Sequence, residues 1–133
     1  MGDVRVSLES KLFGRQAESA AEHYLRGQGY RIRDRNVRSP YGELDLVVER
    51  AGVVVFVEVK ARRTNAFGGA PYAVDSRKQA RMIRLAVHYL AQHKLKNQAC
   101  RFDVLLCAGT SADPLAIEHI ENAFDVPGHE LQW

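Results

Sequence analysis

The sequence predicts an α/β domain, and three observations carry that expectation. A helical apolar repeat opens the chain. Strand-like alternation of period two then fills residues 30–60. A second helical repeat separates that block from a later alternating segment. The 133 residues suit one compact domain, and an apolar share of 46% is enough for a sizeable core, which argues against wholesale disorder.

Taken in order, residues Ser7–Gln28 read as a helix. Ser7 can cap it, Phe13, Ala17, Ala21, Tyr24 and Leu25 recur at helical spacing, and Gly27 and Gly29 end it. Tyr30–Asn36 alternates apolar residues with arginines and reads as a strand, closed by a turn at Ser39, Pro40 and Gly42. Two further strands span Glu43–Glu49 and Val53–Lys60. Ala61–Asp75, with Gly68, Gly69 and Pro71, reads as an irregular loop. Ser76–Leu95 is a second helix with Met82, Leu85, Ala86, Tyr89 and Leu90 facing inward. Arg101–Cys107 is a strand with Phe102, Val104 and Leu106 on one side. A loop over Gly109–Pro114, an edge strand within Leu115–Phe124 and a loose tail complete the chain.

The stretch GELDLVVERAGVVVFVEVKARR, residues 42–63, carries the chemistry. With Ala51 and Gly52 as a two-residue turn, opposed positions sum to 103, so Asp45 faces Glu58 and Glu43 faces Lys60. The other face becomes Leu44, Leu46, Val48, Val53, Val55, Val57 and Val59. A one-residue slip would mix oily and charged side chains on both faces, so burial selects this register. A four-residue loop from Arg50 to Val53 preserves the same sum; Ala51 is not a favoured residue for a primed turn.

Two cross-strand carboxylates repel each other unless a cation sits between them. Mg2+ accepts one or two carboxylates and otherwise keeps water and substrate phosphate. Lys60, two residues beyond Glu58 on the same face, can orient an attacking water or stabilise charge on a phosphorane-like transition state. The competing reading is a solvated sheet face with ion pairs such as Glu43–Lys60, each contributing about 0–1 kcal/mol. Val47 and Phe56 on the same face favour a covered site, where uncompensated acids are costly.

Other features narrow the function classes. Lys plus Arg number 19 against 16 Asp plus Glu, a net charge of +3 that permits a polyanionic partner without requiring one. Arg77, Arg81 and Arg84 line one face of the second helix, with Lys78 beside them. They read as phosphate contacts or as a solvated basic face. Arg62 and Arg63 lead off the last strand of the hairpin and could hold a nucleic-acid backbone or simply begin a connection. Cys100 and Cys107 form no metal-binding spacing and read as two buried free thiols. The five histidines show no ligand spacing, so no zinc site is expected. No signal-peptide core, no bilayer-spanning run and no phosphate-cradling glycine motif is present, so a cytoplasmic protein without membrane attachment is expected.

GELDLV together with FVEVK is similar to the active-site motif of the PD-(D/E)xK nucleases, the restriction-endonuclease-like superfamily that includes archaeal Holliday-junction resolvases. The whole chain, from about Gly14 to Phe124, resembles the YraN-type family of small bacterial proteins. Gly14, Glu18, Ala21, Asn36, Gly42, Lys78 and Asp103 match alongside the hairpin acids. The motif begins Gly-Glu-Leu-Asp where other branches carry Pro-Asp, as in the resolvase-like branch.

The resemblance implies a three-layer fold, a central mixed β-sheet flanked by helices. It implies that Asp45 and Glu58 bind the metal, that the backbone carbonyl of Val59 is a further ligand, and that Lys60 assists the nucleophile. Glu18 matches the helix acid that resolvases bring to the metal, often through water, with Glu22 its close competitor. Lys78 or Gln79 matches a polar helper, and Glu43 would support the site. Two sites are needed to cut both strands of a junction, which implies a homodimer. Two readings follow: a Mg2+-dependent endonuclease on DNA, branched or damaged DNA included, with Mn2+ able to substitute; or a nucleic-acid-binding module that keeps the fold without chemistry. A weaker third is a protein-interaction partner with no nucleic-acid role.

Overall fold

The computed structural model describes residues 4–62, 74–95, 97–109 and 115–125, with the side chains of residues 4–10 excepted. Helix α1 (Val4–Gly27) precedes β1 (Arg31–Ser39), β2 (Gly42–Arg50) and β3 (Val53–Arg62). Helix α2 (Ser76–Gln92), β4 (Cys100–Ala108) and β5 (Ala116–Ile120) follow. The five strands form one sheet in the order β1-β2-β3-β4-β5. Neighbours are antiparallel except β3 and β4, which run parallel, as two strands joined by a helical crossover can. Helix α1 packs its Ala17, Ala21 and Leu25 on one face of the sheet, and α2 packs Met82, Leu85, Ala86, Tyr89 and Leu90 on the other. The chain is therefore an α/β protein of three layers with a mixed central sheet, and each expected element is present.

Several boundaries move. Ser7 does not cap α1, because the helix is already running at Val4. The cap that forms belongs to α2: the Asp75 side chain accepts the Lys78 backbone N–H at 2.8 Å. Helix α2 stops at Gln92, three residues before the expected Leu95, where Leu95 N–H returns to the Leu90 carbonyl and Lys94 takes a left-handed φ of 55°. The expected loop loses Ala61 and Arg62 to β3. Residues 63–73 of it, including Arg63, Gly68, Gly69 and Pro71, lie outside the described residues, as does the expected tail beyond Asp125.

The hairpin register is the one the alternation dictates. Leu46 pairs with Val57, Val47 with Phe56 and Arg50 with Val53, all summing to 103. The turn is the two-residue kind, with φ of 52° at Ala51 and 78° at Gly52, the primed geometry that suits strand twist. Ala51 accepts that geometry at a steric cost.

One expectation about the faces is corrected. Leu46 and Val48 pack under α1, but Leu44 joins Val47 and Phe56 under α2. Residues two apart on a regular strand share a face, so the chain must turn over between Leu44 and Leu46. The neighbouring strand shows where. Asn36 has a left-handed φ of 49°, and on either side of it Arg35 reaches Glu22 of α1 while Val37 packs against the α2 cluster. Asn36 and Asp45 are the positions skipped between the Arg35–Leu46 and Val37–Leu44 pairs. Asparagine tolerates a left-handed residue at a cost of about 1 kcal/mol, and burying a leucine is worth about 2 kcal/mol, so the swap is favourable.

Away from the hairpin, one charged residue among the described residues is fully buried. Asp103 of β4 is 0% exposed. Arg101 donates to both its oxygens at 2.8 Å, His119 Nε2 lies at 2.7 Å and the Asn122 N–H at 3.0 Å. A carboxylate only accepts, so Nε2 carries the proton and Nδ1 is left to accept from the Tyr24 hydroxyl at 3.1 Å. Arg101 also donates to the Tyr30 hydroxyl at 2.7 Å. The network ties β5 and the α1 layer to β4. Burial pushes the Asp103 carboxyl up, but the hydrogen bonds from His119, Arg101 and Asn122 outweigh it and hold the group below its usual value.

The cysteines are both free, Cys107 fully buried and Cys100 only partly, against the expectation of two buried thiols.

Two outcomes test this description. Asp103→Ala strands Arg101 and His119, and urea titration at neutral pH should show a loss of about 3 kcal/mol. Because the Asp103 carboxyl is held low, its stabilising effect is present at neutral pH and disappears as the pH falls through its folded value. Ala51→Asn, better suited to a left-handed turn residue, should raise the unfolding free energy by about 0.5 kcal/mol.

Candidate functional site

The sheet forks where the acids sit. The β2–β3 ladder runs only from Arg50–Val53 to Leu46–Val57. Beyond that point β2 stays with β1 as far as Gly42, and β3 stays with β4 as far as Arg62. The Val59 N–H thus faces a gap with no strand partner. Asp45 fills the role: its Oδ2 accepts that N–H at 2.8 Å. A carboxylate that replaces a ladder acceptor lies in the plane of the sheet, which places Asp45 at the face swap, between the two helical layers. A strand residue aims its N–H and C=O toward the same edge, so the Val59 carbonyl borders the same gap.

Glu58 lies one residue before, half-buried under α2. The Lys78 Nζ approaches its Oε1 at 2.6 Å, while its Oε2 is buried with no hydrogen-bond partner. Such an orphaned oxygen calls for an unseen water or ion. Glu43, Leu44, Asp45, Val57 and Glu58 from the fork, with Arg81, Met82 and Leu85 of α2, line a cavity of about 230 Å³.

The electrostatics follow from this crowding. Burial pushes the Asp45 carboxyl up to about 6, and the charges of Glu58, Glu18 and Glu43 push the same way, against the Val59 hydrogen bond. Glu18 of α1 is also raised, first by burial and then by Glu43 and Glu22, with Arg15 opposing. Four acids from three elements thus feel one another.

The sequence-expected residues divide into those the fold brings together and those it does not. Asp45, Glu58 and Glu43 share the cavity, and Arg81 stands at its wall. Lys78 reaches Glu58 directly. Lys60 is exposed at the end of β3 and does not line the cavity. Glu43 does not pair with Lys60: it stands opposite Arg38 of β1, which approaches its carboxylate at 3.7 Å. Glu18 lines a separate groove on α1 with Arg15, Ser19, Glu22, His23 and Arg26. Its competitor Glu22 is occupied by a two-point contact from Arg35 at 2.7 and 3.0 Å.

Gln79 donates its amide to the Val74 carbonyl at 2.7 Å, which anchors the start of α2. Arg77 and Arg84 are exposed on α2, Arg62 is exposed at the end of β3, and Arg63 lies outside the described residues.

Sequence reasoning missed the fork itself. Its one signal was Asn36, a residue type that tolerates left-handed geometry, standing opposite Asp45.

The donor chemistry suits a hard divalent cation of the Mg2+ type: two carboxylates, one of them with an unpartnered buried oxygen, beside an open-edge carbonyl. Among the described residues, no three acids, histidines or cysteines converge as a ready-made metal cage, so water and substrate oxygens would have to complete the shell.

Fold and site together define an α/β protein with a carboxylate-lined cleft at a fork in a mixed sheet. The chain belongs to the uncharacterised protein family UPF0102, whose model matches residues 17–107. It is 40% identical over 117 residues to a UPF0102 protein of Myxococcus xanthus, covering 88% of this chain and 92% of that one. It is 46% identical over 111 residues to one of Frankia casuarinae, covering 84% and 94%. A solved structure, Pyrococcus furiosus SfsA in complex with Ca2+, superposes with a TM-score of 0.41 at 18% identity, covering 88% of this chain and 65% of that one. No described helix is long and apolar enough to cross a membrane.

Asp45 gives the site a testable signature in metal-free protein. A carboxyl raised above its unfolded value costs stability as the pH climbs from about 4 to about 6, and the cost is fully present above that window. Asp45→Asn keeps an acceptor for the Val59 N–H and removes the charge. It should therefore raise the melting temperature by several degrees at pH 7.5 and by nothing near pH 3.5. Added Mg2+ or Mn2+ should raise the melting temperature of the wild type and leave Asp45→Asn unmoved.

Proposed function

We propose that the protein is a divalent-metal-dependent endonuclease that hydrolyses phosphodiester bonds in DNA, branched or damaged DNA included. The observation that carries this reading is the unpartnered, buried Oε2 of Glu58 beside Asp45 in the fork. Two acids held this close in a covered cleft are costly in the absence of a cation.

In this reading Asp45 and Glu58 hold Mg2+, or Mn2+ in its place, with the Val59 carbonyl as a further donor and Glu18 acting through water. The ion supplies Lewis-acid polarisation of a phosphoryl oxygen. The protein's own groups do the rest. The Val59 N–H fixes the Asp45 carboxylate in the sheet plane. Lys78 holds one oxygen of Glu58 in place, at 2.6 Å. Arg81 at the cavity wall meets the negative phosphate. Lys60 lies outside the cavity wall, so its part is to meet substrate from the exposed end of β3, orienting water or taking up developing charge. Arg62, Arg77 and Arg84 extend the cationic surface along which a DNA backbone would lie. Cutting both strands of a junction would take two such sites, and hence a homodimer.

A second reading is a nucleic-acid-binding module without chemistry, and one observation favours it. The Lys78 ammonium already supplies Glu58 with a positive charge, the arrangement expected of a site that has given up its metal.

The deciding experiment incubates the purified chain with branched, nicked and single-stranded DNA under Mg2+ and Mn2+. The endonuclease reading expects cleavage that Asp45→Asn, Glu58→Gln or Lys60→Ala lowers at least a hundredfold, with each variant folded by circular dichroism. Cleavage persisting in Asp45→Asn and Lys60→Ala would remove the mechanism. Salt-sensitive DNA binding without metal binding or cleavage would establish the module.

A further inference from the structure

Two large apolar side chains are exposed among the described residues, and Tyr41 is one of them, at 48%. It sits in the β1–β2 turn, directly before Gly42 and two residues before Glu43, which lines the cleft. The turn is fixed. The Ser39 hydroxyl accepts the Tyr41 N–H at 3.1 Å and donates to the Gly42 carbonyl at 3.4 Å. Gly42 has a left-handed φ of 129°, and a Cβ placed there would lie 3.7 Å from the Arg81 Cδ, so the turn passes close to the arginine's stem. The Tyr41 ring meets the edge of His88 of α2 at 6.0 Å and 75°. An exposed aromatic ring is thus held in place by its own turn and by the His88 side chain of α2.

Its surroundings are cationic. Arg77, Arg81, Arg84 and His88 fall at intervals of four, three and four, which keeps them within about 60° on one side of α2. Neither Arg77, Arg81 nor Arg84 makes an ion pair among the described residues, unlike Arg31, Arg33 and Arg35, which are all taken up by Glu49 or Glu22. The strip from Arg81 to His88 spans roughly 10 Å, about three stacked nucleotides at 3.4 Å each. It runs from the acid cleft to the Tyr41 ring.

We infer that Tyr41 is a stacking platform for an unpaired base, which makes single-stranded DNA, or DNA with unpaired nucleotides beside the cleaved phosphate, the substrate class of this cleft. The inference rests on the nucleic-acid reading of the site and narrows it. In a continuous duplex both faces of every base are already stacked, so a protruding side chain has no ring to meet. An unpaired base offers its face, and base–aromatic stacking beside arginine-held phosphates is how sequence-tolerant single-strand binding is built. Tyrosine suits this use because its large ring loses little conformational freedom when it binds.

The test measures binding of the full chain, in EDTA, to a labelled single-stranded oligonucleotide and to the blunt duplex of the same sequence. Tyr41→Ala should weaken single-strand binding about tenfold, Tyr41→Phe should restore it, and neither should alter duplex binding. Equal single-strand affinity in Tyr41→Ala overturns the inference, as does an equal loss on the duplex. Because no divalent metal is present, the result is independent of hydrolysis. If the chain never cleaves, a Tyr41 effect confined to the single strand still establishes the platform. If it cleaves while Tyr41→Ala binds normally, the platform alone fails.

Discussion

One hydrogen bond governs the arrangement of this protein: the Val59 N–H to the Asp45 carboxylate. Where β2 and β3 part, β3 is left with a backbone donor that no strand can reach. A buried donor without an acceptor costs about as much as a whole favourable contact elsewhere in the fold contributes. Asp45 satisfies it, and in doing so it is fixed in the plane of the sheet. The fork, the cleft between β2 and α2, and the approach of Asp45 to Glu58 are consequences of that one substitution of a side chain for a strand.

The cost appears in the charges. Asp45 is raised to about 6 because burial and three neighbouring acids act together on it. Elsewhere the protein handles buried charge differently. Asp103 is more deeply buried, yet its carboxyl is held low because Arg101, His119 and Asn122 surround it. The two aspartates share a chain and differ in their partners. Asp103 is fully satisfied and ties β4 to β5, as a structural residue does. Asp45 keeps a deficit that the fold leaves uncorrected, and a perturbed carboxyl in a cleft is where chemistry is ordinarily found.

Much of this was legible in the residues, for identifiable reasons. The hairpin register followed from parity alone, since a slip of one residue would have mixed oily and charged side chains on both faces. The inward residues of α2 followed from their periodicity, whereas the residue pattern of 115–124 was ambiguous between strand and other structure. The fork was not legible, because period-two reasoning assumes a regular strand and one left-handed residue at Asn36 breaks it without changing the pattern of residue types. For the same reason Leu44 was assigned to the wrong face. Lys78 and Glu58 lie twenty residues apart in sequence, and spacing along one element cannot report a contact between two. Asp103 carried a fainter signal: an acid inside the run Phe102 to Leu106 had to be paired if buried, and Arg101 stands two residues away, but His119 of β5 and the Asn122 N–H come from later in the chain.

The position of Lys78 bears on how the two functional readings differ. An ammonium against Glu58 looks at first like a replacement for a metal. It satisfies only part of the carboxylate. Lys78 engages Oε1 alone and leaves Oε2 buried and unpartnered. A lysine that had taken over the role of the ion would gain from sharing itself between both oxygens, or from leaving the second one in water. Burying Oε2 without a partner costs about 1–3 kcal/mol, a cost that a water or an ion at that oxygen would remove. A divalent ion at Oε2 removes that cost and leaves the lysine where it is. The pairing thus fixes Glu58 by one oxygen, and the other stays buried and unpartnered in the acid-lined cleft it shares with Asp45.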